Sequence, residues 1–393
     1  MVEAKERGSS GDEGEEFKDE NFIEKPAILD KYKAAAQITN AALAKVIALC
    51  VPGADIYKVC QEGDLFIEEE LKKIFNNKKS KKLERGIAFP TCISVNNICG
   101  HFSPMADESV LLQEGDLAKI DLGSHLDGFI AQAAHTIVVS ADPASKVTGK
   151  KADVILAAYN AMLAAQRTIK HQGTNSDVTE VIAKVAEAFG VNPLEGVISH
   201  KVKKHLIDGN DVIINKETPD QKVEEFEFAP GDVIGLDIYI STGEGKPKES
   251  EFRTTVFKRE LDTQYNLKLQ KSRAFLTEVN KRFPTLPFAI RAFEDAVGAK
   301  VGVKECIDHD LMTGYPVLTE KAGELVAQFK TTIAVLPRST AVLAGELAVP
   351  VARFESEKKI ADPELSALIA GELWKKEDKK KPSAAKKEDE KKQ

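Results

Sequence analysis

Apolar residues recur at helical spacing near the start of the chain. The pattern predicts a helix over about 30–50, with Asp30 as its N-terminal cap and with Pro52 and Gly53 ending it. A second amphipathic helix is expected to follow, as far as about residue 75. The apolar face of the first helix carries Ile38, Ala42, Val46 and Ile47.

The segments that follow alternate between strand and helix patterns. β-Branched and apolar residues over 87–95 predict a strand, and the pattern over 115–139 predicts a hairpin that turns at 125–128. An alanine-rich helix is expected over about 151–171, and Gly173 separates it from a further helix over 178–189. This order predicts an α/β domain.

The order of elements occurs twice, which indicates an internal repeat. In each copy a glycine turn precedes a helix, and a Gly-Asp pair begins a strand that ends in an aspartate. The copies run from Gly53 to Asp121 and from Gly173 to Asp237. Two similar halves would pack about a pseudo-two-fold axis and bring both carboxylates together, as in two-metal sites. Alternatively, the strands are unrelated and share only a Gly-Asp turn.

The composition is typical of a globular protein in a reducing compartment. Of the 393 residues, 42% are hydrophobic, which is enough for a substantial core. No apolar run approaches the ~18 residues that a membrane span needs, and the acidic start does not resemble a secretory signal. The five cysteines include no CxxC pair, so we expect small core residues rather than a disulfide framework or a structural zinc site.

Charge is unevenly distributed, although the net charge of −7 by itself argues against nucleic acid. Residues 1–24 carry nine acids and three bases, whereas 72–85 carry seven bases and one acid, and 246–291 carry eleven bases and five acids. Local positive charge of this kind favours RNA binding, the alternative being an ordinary solvated face. The candidate RNA- and ribosome-binding residues are Lys78, Lys79, Lys81, Lys82, Lys258, Arg259, Lys268, Lys271, Arg273, Lys281 and Arg282.

Seven short motifs occur in the order found in type II methionine aminopeptidase, and residues from about 23 to 355 resemble that family. The resemblance implies the pita-bread fold of the creatinase/methionine aminopeptidase superfamily, an α/β fold with a pseudo-two-fold repeat. It also implies a helical insertion at 246–300. The motifs are Ala88-Phe89-Pro90-Thr91, Asn96-Asn97, His101, Lys119-Ile120-Asp121-Leu122-Gly123, Ser199-His200, Ser241-Thr242-Gly243 and Ala327-Gln328-Phe329.

The two-metal site of that family is altered at three of its five positions. The active enzymes bind two divalent metals through two aspartates eleven residues apart, a histidine and two glutamates. By position, these ligands correspond to Asp121, Gln132, His200, Asp237 and Lys330. An amide cannot bridge two cations and an ammonium has no lone pair, so both bridging carboxylates are lost.

Two further histidines contact substrate in the active family. One is retained as His101, whereas Asp208 stands at the position of the other. His101 and His200 could hold a single metal weakly together with Asp121, or they could be hydrogen-bonded in a polar pocket. We expect no cofactor, no bound metal and no peptidase activity; the alternative is an active single-metal aminopeptidase.

Lys330 lies between Phe329 and a β-branched run over 331–335, which predicts a buried strand. A buried lysine needs an anionic partner. Asp121 and Asp237 are the candidates, unless the strand is at an edge and the lysine is exposed.

The same replacements, together with the lysine-rich loop before Gly86 and the lysine-rich tail, resemble the proliferation-associated, ErbB-receptor-binding protein family. The resemblance implies a non-peptidase that binds ribosomal RNA and the large ribosomal subunit near the exit tunnel, with roles in ribosome biogenesis, translation and growth control. It also implies a cytoplasmic protein with a nuclear and nucleolar pool. Other structured RNA and signalling or transcriptional proteins are further partners to consider, and a transcriptional or receptor-signalling adaptor is the alternative role. We expect a monomer without membrane insertion.

The expected organisation has four parts: a disordered acidic segment at 1–22, the pita-bread domain at 23–356, a C-terminal helix at 357–374 and a disordered lysine-rich tail at 375–393. The stretch Leu365-Ser366-Ala367-Leu368-Ile369 resembles a Leu-x-x-Leu-Leu box that ends in isoleucine, and we expect it to pack on its own domain rather than on a partner. The insertion is expected to bury Leu261, Tyr265, Leu269, Phe275, Leu276 and Phe283, with its bases on the outer face.

Overall fold

Helices and strands occur throughout 23–75 and 83–376, the residues that the computed structural model describes. The helices are α1 Pro26–Leu49, α2 Ile56–Lys73, α3 Gly149–Thr168, α4 Asn175–Phe189, α5 Gln270–Arg282, α6 Ala296–Asp308 and α7 Pro363–Ala370. The strands are β1 Arg85–Val95, β2 Ile98–Gly100, β3 Leu117–Leu126, β4 Phe129–Val138, β5 Val147–Thr148, β6 Asn192–Pro193, β7 Ile198–Val202, β8 Val212–Ile214, β9 Val233–Ser241, β10 Lys248–Glu249, β11 Val256–Arg259, β12 Phe288–Ala289, β13 Met312–Tyr315, β14 Leu318–Thr319, β15 Val326–Leu336, β16 Ser339–Ala344 and β17 Phe354–Glu355.

A nine-stranded sheet forms the centre of the molecule. Its strands run in the order β1-β3-β4-β15-β9-β7-β8, with β16 paired to β15 and β6 paired to β9. The order is symmetrical about the β4–β15 seam, because β1, β3 and β4 correspond to β7, β9 and β15. Helices α1 and α2 pack on the first half, and α3 and α4 pack on the second, each pair over its own apolar core. This arrangement confirms the internal repeat.

The β4–β15 seam is joined mainly by side chains. Its backbone register contains one pair, Lys330 opposite Ala134. On one side of this pair, the Thr136 hydroxyl accepts a hydrogen bond from the backbone N–H of Gln328 and donates one to the backbone carbonyl of Gln328, at 2.7 and 2.6 Å. On the other side, Thr332 makes the same two contacts with the backbone of Gln132, at 2.8 and 2.9 Å. Each half therefore contributes one threonine that replaces backbone pairing.

The predicted helices and strands are present, with shifted ends. The prediction that Asp30 caps the first helix was wrong: α1 begins at Pro26, because proline has the helical φ already and lacks the N–H that a first-turn residue leaves unpaired. The second helix is capped by Asp55, whose Oδ1 accepts from the Lys58 amide at 3.3 Å.

The insertion contains α5, α6 and a three-stranded sheet in the order β12-β11-β13. Phe275 and Phe283 are buried in its core as expected, and Leu276 packs against them. Leu261, Tyr265 and Leu269 are exposed instead, because 261–269 forms no helix that could direct them to one face. The core continues to Leu311 and Met312, beyond the limit expected at residue 300.

The C-terminal segment packs on the second half of the sheet. The predicted helix over 357–374 is shorter, since α7 ends at Ala370, and Asp362 caps it by accepting from the Glu364 and Leu365 amides. Leu365 is buried in the core of that half, and Leu368 and Ile369 pack against it. The prediction that this stretch packs on its own domain is confirmed. Disorder was expected for 1–22 and 375–393, and this was wrong for the first two residues of the tail: Lys375 forms a β-bridge with Ser339, and the Lys376 amide donates to the Arg338 carbonyl at 2.8 Å. The segments 1–22 and 377–393 lie outside the described residues.

All five cysteines are unpaired and buried, as expected of core residues. In the part of the chain that the structure describes, no helix is both long and apolar enough to cross a membrane.

Candidate functional site

Four residues form a row across the centre of the sheet. Asp121 on β3 lies opposite Ala134 on β4, Ala134 lies opposite Lys330 on β15, and Lys330 lies opposite Asp237 on β9. Directly opposed residues of neighbouring strands point to the same face. The small side chain of Ala134 lets Lys330 extend across β4 towards Asp121.

Lys330 joins the carboxylates of the two halves. Its Nζ lies 2.6 Å from Asp121 Oδ2 and 2.9 Å from Asp237 Oδ2, and the lysine side chain is 8% exposed. Gln328 Nε2 donates to the same carboxylates, at 3.2 Å to Asp121 and 2.9 Å to Asp237. These are charge-assisted hydrogen bonds between largely buried side chains. The prediction that Lys330 is buried against both aspartates is confirmed.

One ammonium serves two buried carboxylates, and the pKa values reflect this shortage of positive charge. Burial alone would lower the pKa of Lys330, but attraction to Asp121 and Asp237 outweighs it and raises that pKa above its ordinary value. Burial raises the pKa of Asp237 to about 6, and the Asp121 charge adds to the shift while Lys330 opposes it. Lys330 is therefore cationic at neutral pH, and Asp237 takes up a proton as the pH falls through about 6.

Two histidines line a cavity of about 240 Å³ above this row, together with Asp237 and Lys330. His101 Nδ1 lies 3.1 Å from the Pro316 carbonyl, and His200 Nδ1 lies 3.0 Å from the Gly209 carbonyl. Since a carbonyl only accepts, both Nδ1 atoms donate. Burial lowers the pKa of His101. Both histidines are therefore hydrogen-bonded to backbone carbonyls, but the pocket is less polar than predicted, since Leu194, Val197 and Leu318 also line it.

Two further family positions, Gln132 and Asp208, also line this cavity, whereas Asp121 does not. Gln132 lies there with its backbone held by Thr332. Asp208 lies at the cavity wall and forms an ion pair with Lys258. The prediction that Lys258 lies on the outer face of the insertion was wrong. Its side chain is 16% exposed, because β11 directs it towards Asp208.

The donor set does not suit a pair of divalent cations. Lys330 places a positive charge between the two carboxylates, and Gln132 supplies a neutral amide where a bridging anion is needed. Within residues 23–75 and 83–376, no group of three or more His, Cys, Asp or Glu side chains is arranged to hold a metal ion.

The two basic segments of the sequence meet at a second cavity, of about 450 Å³, which we call the basic cleft. It lies between the end of α2, the start of β1 and the end of α5 with the residues that follow. Glu68 and Glu84 also line it, as do the rings of His125 and His205. Burial, with a smaller effect of His205, lowers the pKa of His125 to about 4. The basic residues that line the cleft are Lys72, Arg85, Lys281 and Arg282.

The other RNA-binding candidates differ in exposure and in the hydrogen bonds that they already make. Lys268 and Lys271 are exposed, whereas Arg259 is half-buried. Arg273 is exposed but donates to the Leu267 and Lys268 carbonyls, at 3.0 and 2.7 Å, so it holds the loop before α5 in place. The candidates Lys78, Lys79, Lys81 and Lys82 lie outside the described residues.

A buried arginine of the insertion was missed by the sequence reasoning. Arg291 forms an ion pair with Asp64 on α2 and donates to the Thr91 carbonyl at 3.0 Å, and its side chain is 2% exposed. It fixes the insertion to the first half. A charged residue within an apolar run predicts a buried ion pair, as it did for Lys330, and the position of Arg291 within 288–293 gave the same signal.

Comparisons with known proteins found one matching family model, similar sequences and a similar solved structure. The model of metallopeptidase family M24 matches residues 30–256. The chain is 45% identical over 352 residues to Proliferation-associated protein A of Dictyostelium discoideum, covering 89% of this chain and 90% of that protein. It is 39% identical over 373 residues to the Curved DNA-binding protein of Schizosaccharomyces pombe, covering 92% and 96%. The structure of a thermophilic Arx1 matches with a TM-score of 0.84 and 32% identity, over 89% of this chain and 100% of that one.

Proposed function

Because the chain belongs to the proliferation-associated protein family, within metallopeptidase family M24, we propose that it is a non-catalytic relative of methionine aminopeptidase that binds RNA and the large ribosomal subunit. The family and its pita-bread fold confirm what the motifs predicted. The activity and the partners are our proposal.

Loss of peptidase chemistry follows from the row across the sheet. A two-metal aminopeptidase needs bridging carboxylates and a metal-bound nucleophile. In this chain an ammonium lies 2.6 Å from Asp121 and occupies the space between the carboxylates, and Gln132 replaces one bridging acid. The alternative of an active single-metal enzyme is disfavoured, because a cation next to Asp121 and Asp237 would have to displace Lys330 from a buried ion pair.

RNA binding is supported chiefly by the basic cleft, in which residues from two distant basic segments lie together. Phosphate groups are the natural ligands of clustered lysine and arginine side chains. The name of the Schizosaccharomyces pombe relative describes a DNA-binding protein, and DNA shares with RNA the phosphate groups on which this proposal rests. Exposed Lys268 and Lys271 would extend the contact along the insertion.

The ribosomal location rests on the family resemblance. Methionine is removed from nascent chains as they leave the exit tunnel, and a non-catalytic relative that kept this position would bind ribosomal RNA there. We extend the proposal to a monomer that is cytoplasmic with a nucleolar pool and takes part in ribosome biogenesis, translation and growth control. Other structured RNA and signalling or transcriptional proteins are additional partners. The adaptor role receives no support from the Leu365–Ile369 stretch, since Leu365 is buried in its own core.

Salt-dependent co-sedimentation with large ribosomal subunits tests this function. Replacing Lys268, Lys271 and Lys281 together by alanine should weaken binding and reduce the log–log salt slope by about one unit for each lost phosphate contact. The fold should be retained, because these side chains are exposed. Arg273 is left intact, since it holds the loop before α5.

His200→Ala is the matched control, because it alters the central cavity and leaves the basic cleft unchanged. It should sediment with subunits like the parent. The proposal is wrong if the triple variant binds like the parent at every salt concentration, or if folded His200→Ala no longer binds.

A further inference from the structure

Residues 261–269 of the insertion expose large apolar side chains. Leu261, Tyr265 and Leu269 are 53%, 37% and 51% exposed, whereas Leu267 between them is buried in the core of the insertion. A single exposed apolar residue is ordinary on a protein surface, but several on one short segment are typical of a contact with another molecule. This segment is therefore a candidate interaction surface.

Two charged side chains fix the backbone of the segment. Glu305 on α6 accepts from the backbone N–H groups of Lys268 and Leu269, at 2.7 and 3.4 Å. Arg273 on α5 donates to the backbone carbonyls of Leu267 and Lys268, at 3.0 and 2.7 Å. Hydrogen bonds of charged groups are the stronger kind. The segment is thus held in place before any ligand binds, which lowers the entropy cost of binding.

Tyr265 stacks on His309 at the end of α6. The ring centroids are 3.7 Å apart and the ring planes are 18° from parallel. His309 follows Glu305 by four residues, a spacing that puts both side chains on one side of the helix. The other stacked pair within the described residues, Phe283 and Phe288, is buried. His309 covers one face of the Tyr265 ring, and the opposite face is open to solvent.

Lysines flank this ring, although the surface as a whole is not strongly basic. Lys268 and Lys271 are exposed, and their side chains form no ion pair or hydrogen bond with the described part of the chain. Asp262, Asp308 and Asp310 are exposed in the same part of the insertion. Attraction of phosphates alone would therefore not select this surface. An exposed aromatic ring held in one orientation suits the flat face of a nucleobase.

We propose that Tyr265, supported by His309, is an aromatic platform on which one unpaired RNA base stacks, while Lys268 and Lys271 contact the adjoining phosphates. This role rests on the proposed function, because it names the class of RNA that the insertion binds. That class is single-stranded or looped RNA. Bases inside a duplex are already stacked on their neighbours, so a continuous duplex offers no free base to the ring.

Fluorescence titration of the full chain with a single-stranded RNA of about ten nucleotides tests the platform. The RNA carries 2-aminopurine at alternate positions, and the emission of this base falls when it stacks on an aromatic ring. Tyr265→Ala should weaken binding about 5- to 100-fold, the range expected for loss of one base–aromatic stack, and should reduce the fall in emission. Tyr265→Phe retains the ring and should bind like the parent. Tyr57→Ala is the matched control, since it removes a half-buried tyrosine on α2.

Salt dependence separates stacking from charge. Tyr265→Ala should lower the affinity at every salt concentration and leave the log–log salt slope unchanged, because it removes no phosphate contact. Lys268→Gln/Lys271→Gln should instead flatten the slope, by about one unit for each lost contact. A blunt duplex of the same sequence should bind the parent and Tyr265→Ala equally, since its bases are not free to stack on the ring.

The platform is refuted if Tyr265→Ala binds the single strand like the parent, or if it weakens binding of the single strand and the duplex equally. It is also refuted if Tyr265→Ala binds RNA normally but sediments less with large ribosomal subunits, because the ring would then contact a protein. Weaker RNA binding by the lysine variant but not by Tyr265→Ala would overturn the platform and leave the proposed function intact. A parent chain that binds neither RNA nor subunits would overturn both.

Discussion

Replacement of Lys330 by methionine would leave two buried carboxylates without their cation. The ammonium lies 2.6 Å from Asp121 and 2.9 Å from Asp237, in surroundings where all three side chains are at most 13% exposed. Removing one partner of a buried ion pair costs about 3–5 kcal/mol. Because two carboxylates depend on this ammonium, we expect the upper part of that range at pH 7. Urea unfolding followed by circular dichroism measures the change.

The pH dependence separates charge from packing. Methionine retains most of the apolar stem of lysine, so little of the loss should come from packing. Asp237 already has a pKa of about 6, and it should take up a proton more readily without Lys330. The cost of Lys330→Met should therefore be smaller at pH 5 than at pH 7.

Two comparisons make the test decisive. Lys184→Met removes an exposed pair with Glu180, at 51% and 62% exposure, and should leave the free energy of unfolding nearly unchanged. Adding Asp121→Asn and Asp237→Asn to Lys330→Met should recover most of the loss, because no buried charge then lacks a partner. The reasoning fails if Lys330→Met changes the free energy of unfolding by less than about 1 kcal/mol at pH 7, or if the triple variant is no more stable than the single one.

Three other outcomes are expected. Because the pKa of Asp237 is raised to about 6, its protonated carboxyl stabilises the folded state fully below about pH 4, and this stabilisation is lost as the pH rises through 6. Between pH 4 and pH 7 the free energy of unfolding of the parent should therefore fall by up to about 3 kcal/mol relative to that of Asp237→Asn, as measured by urea titration. Arg291→Met should leave Asp64 unpaired and speed amide hydrogen exchange across the insertion, whereas the control Arg253→Met, which breaks an exposed pair, should not. Elemental analysis after dialysis should find less than one cobalt, manganese, zinc or iron ion per chain, and adding cobalt or manganese should release no methionine from short peptides; two bound metals would contradict the description of the central row.

The two-fold organisation of the fold was predictable from the residues, because the same order of elements occurs twice, whereas the pita-bread fold was implied by the resemblance of the motifs. Helical periodicity and the paired Gly-Asp strands were sufficient to place Asp121 and Asp237 at corresponding positions of the two halves. Element ends were harder to predict, since competing local signals such as Asp30 and Pro26 each favour a helix start. The stretch over 261–269 shows why periodicity alone is insufficient: its spacing fits a helix, but the loop packs without forming one.

The central site was largely predictable, whereas the basic cleft was not. The partners of Lys330 followed from its predicted burial and from the family resemblance, which assigns Asp121, Asp237 and Lys330 to one site. The cleft depends on the docking of the insertion against the first half, a contact between residues more than 200 positions apart in the chain. The net charge of a sequence window does not show which bases are exposed, as Lys281 is, and which are buried in ion pairs. Lys258 and Arg291 are paired with acids that are distant in sequence and lie outside any such window.

The pseudo-two-fold axis passes through a pair of residues that differ. Ala134 and Lys330 occupy equivalent places in the two halves, opposite Asp121 and Asp237 respectively, whereas Thr136 and Thr332 bridge the seam from either side. In a dimer of identical half-length chains, any residue at this place would appear twice. In such a dimer each lysine would lie opposite a second lysine. Lys330 instead lies opposite Ala134, whose small side chain leaves room for the lysine to extend towards Asp121. This internal counterion is therefore available only to a fused chain whose two halves have diverged at the axis.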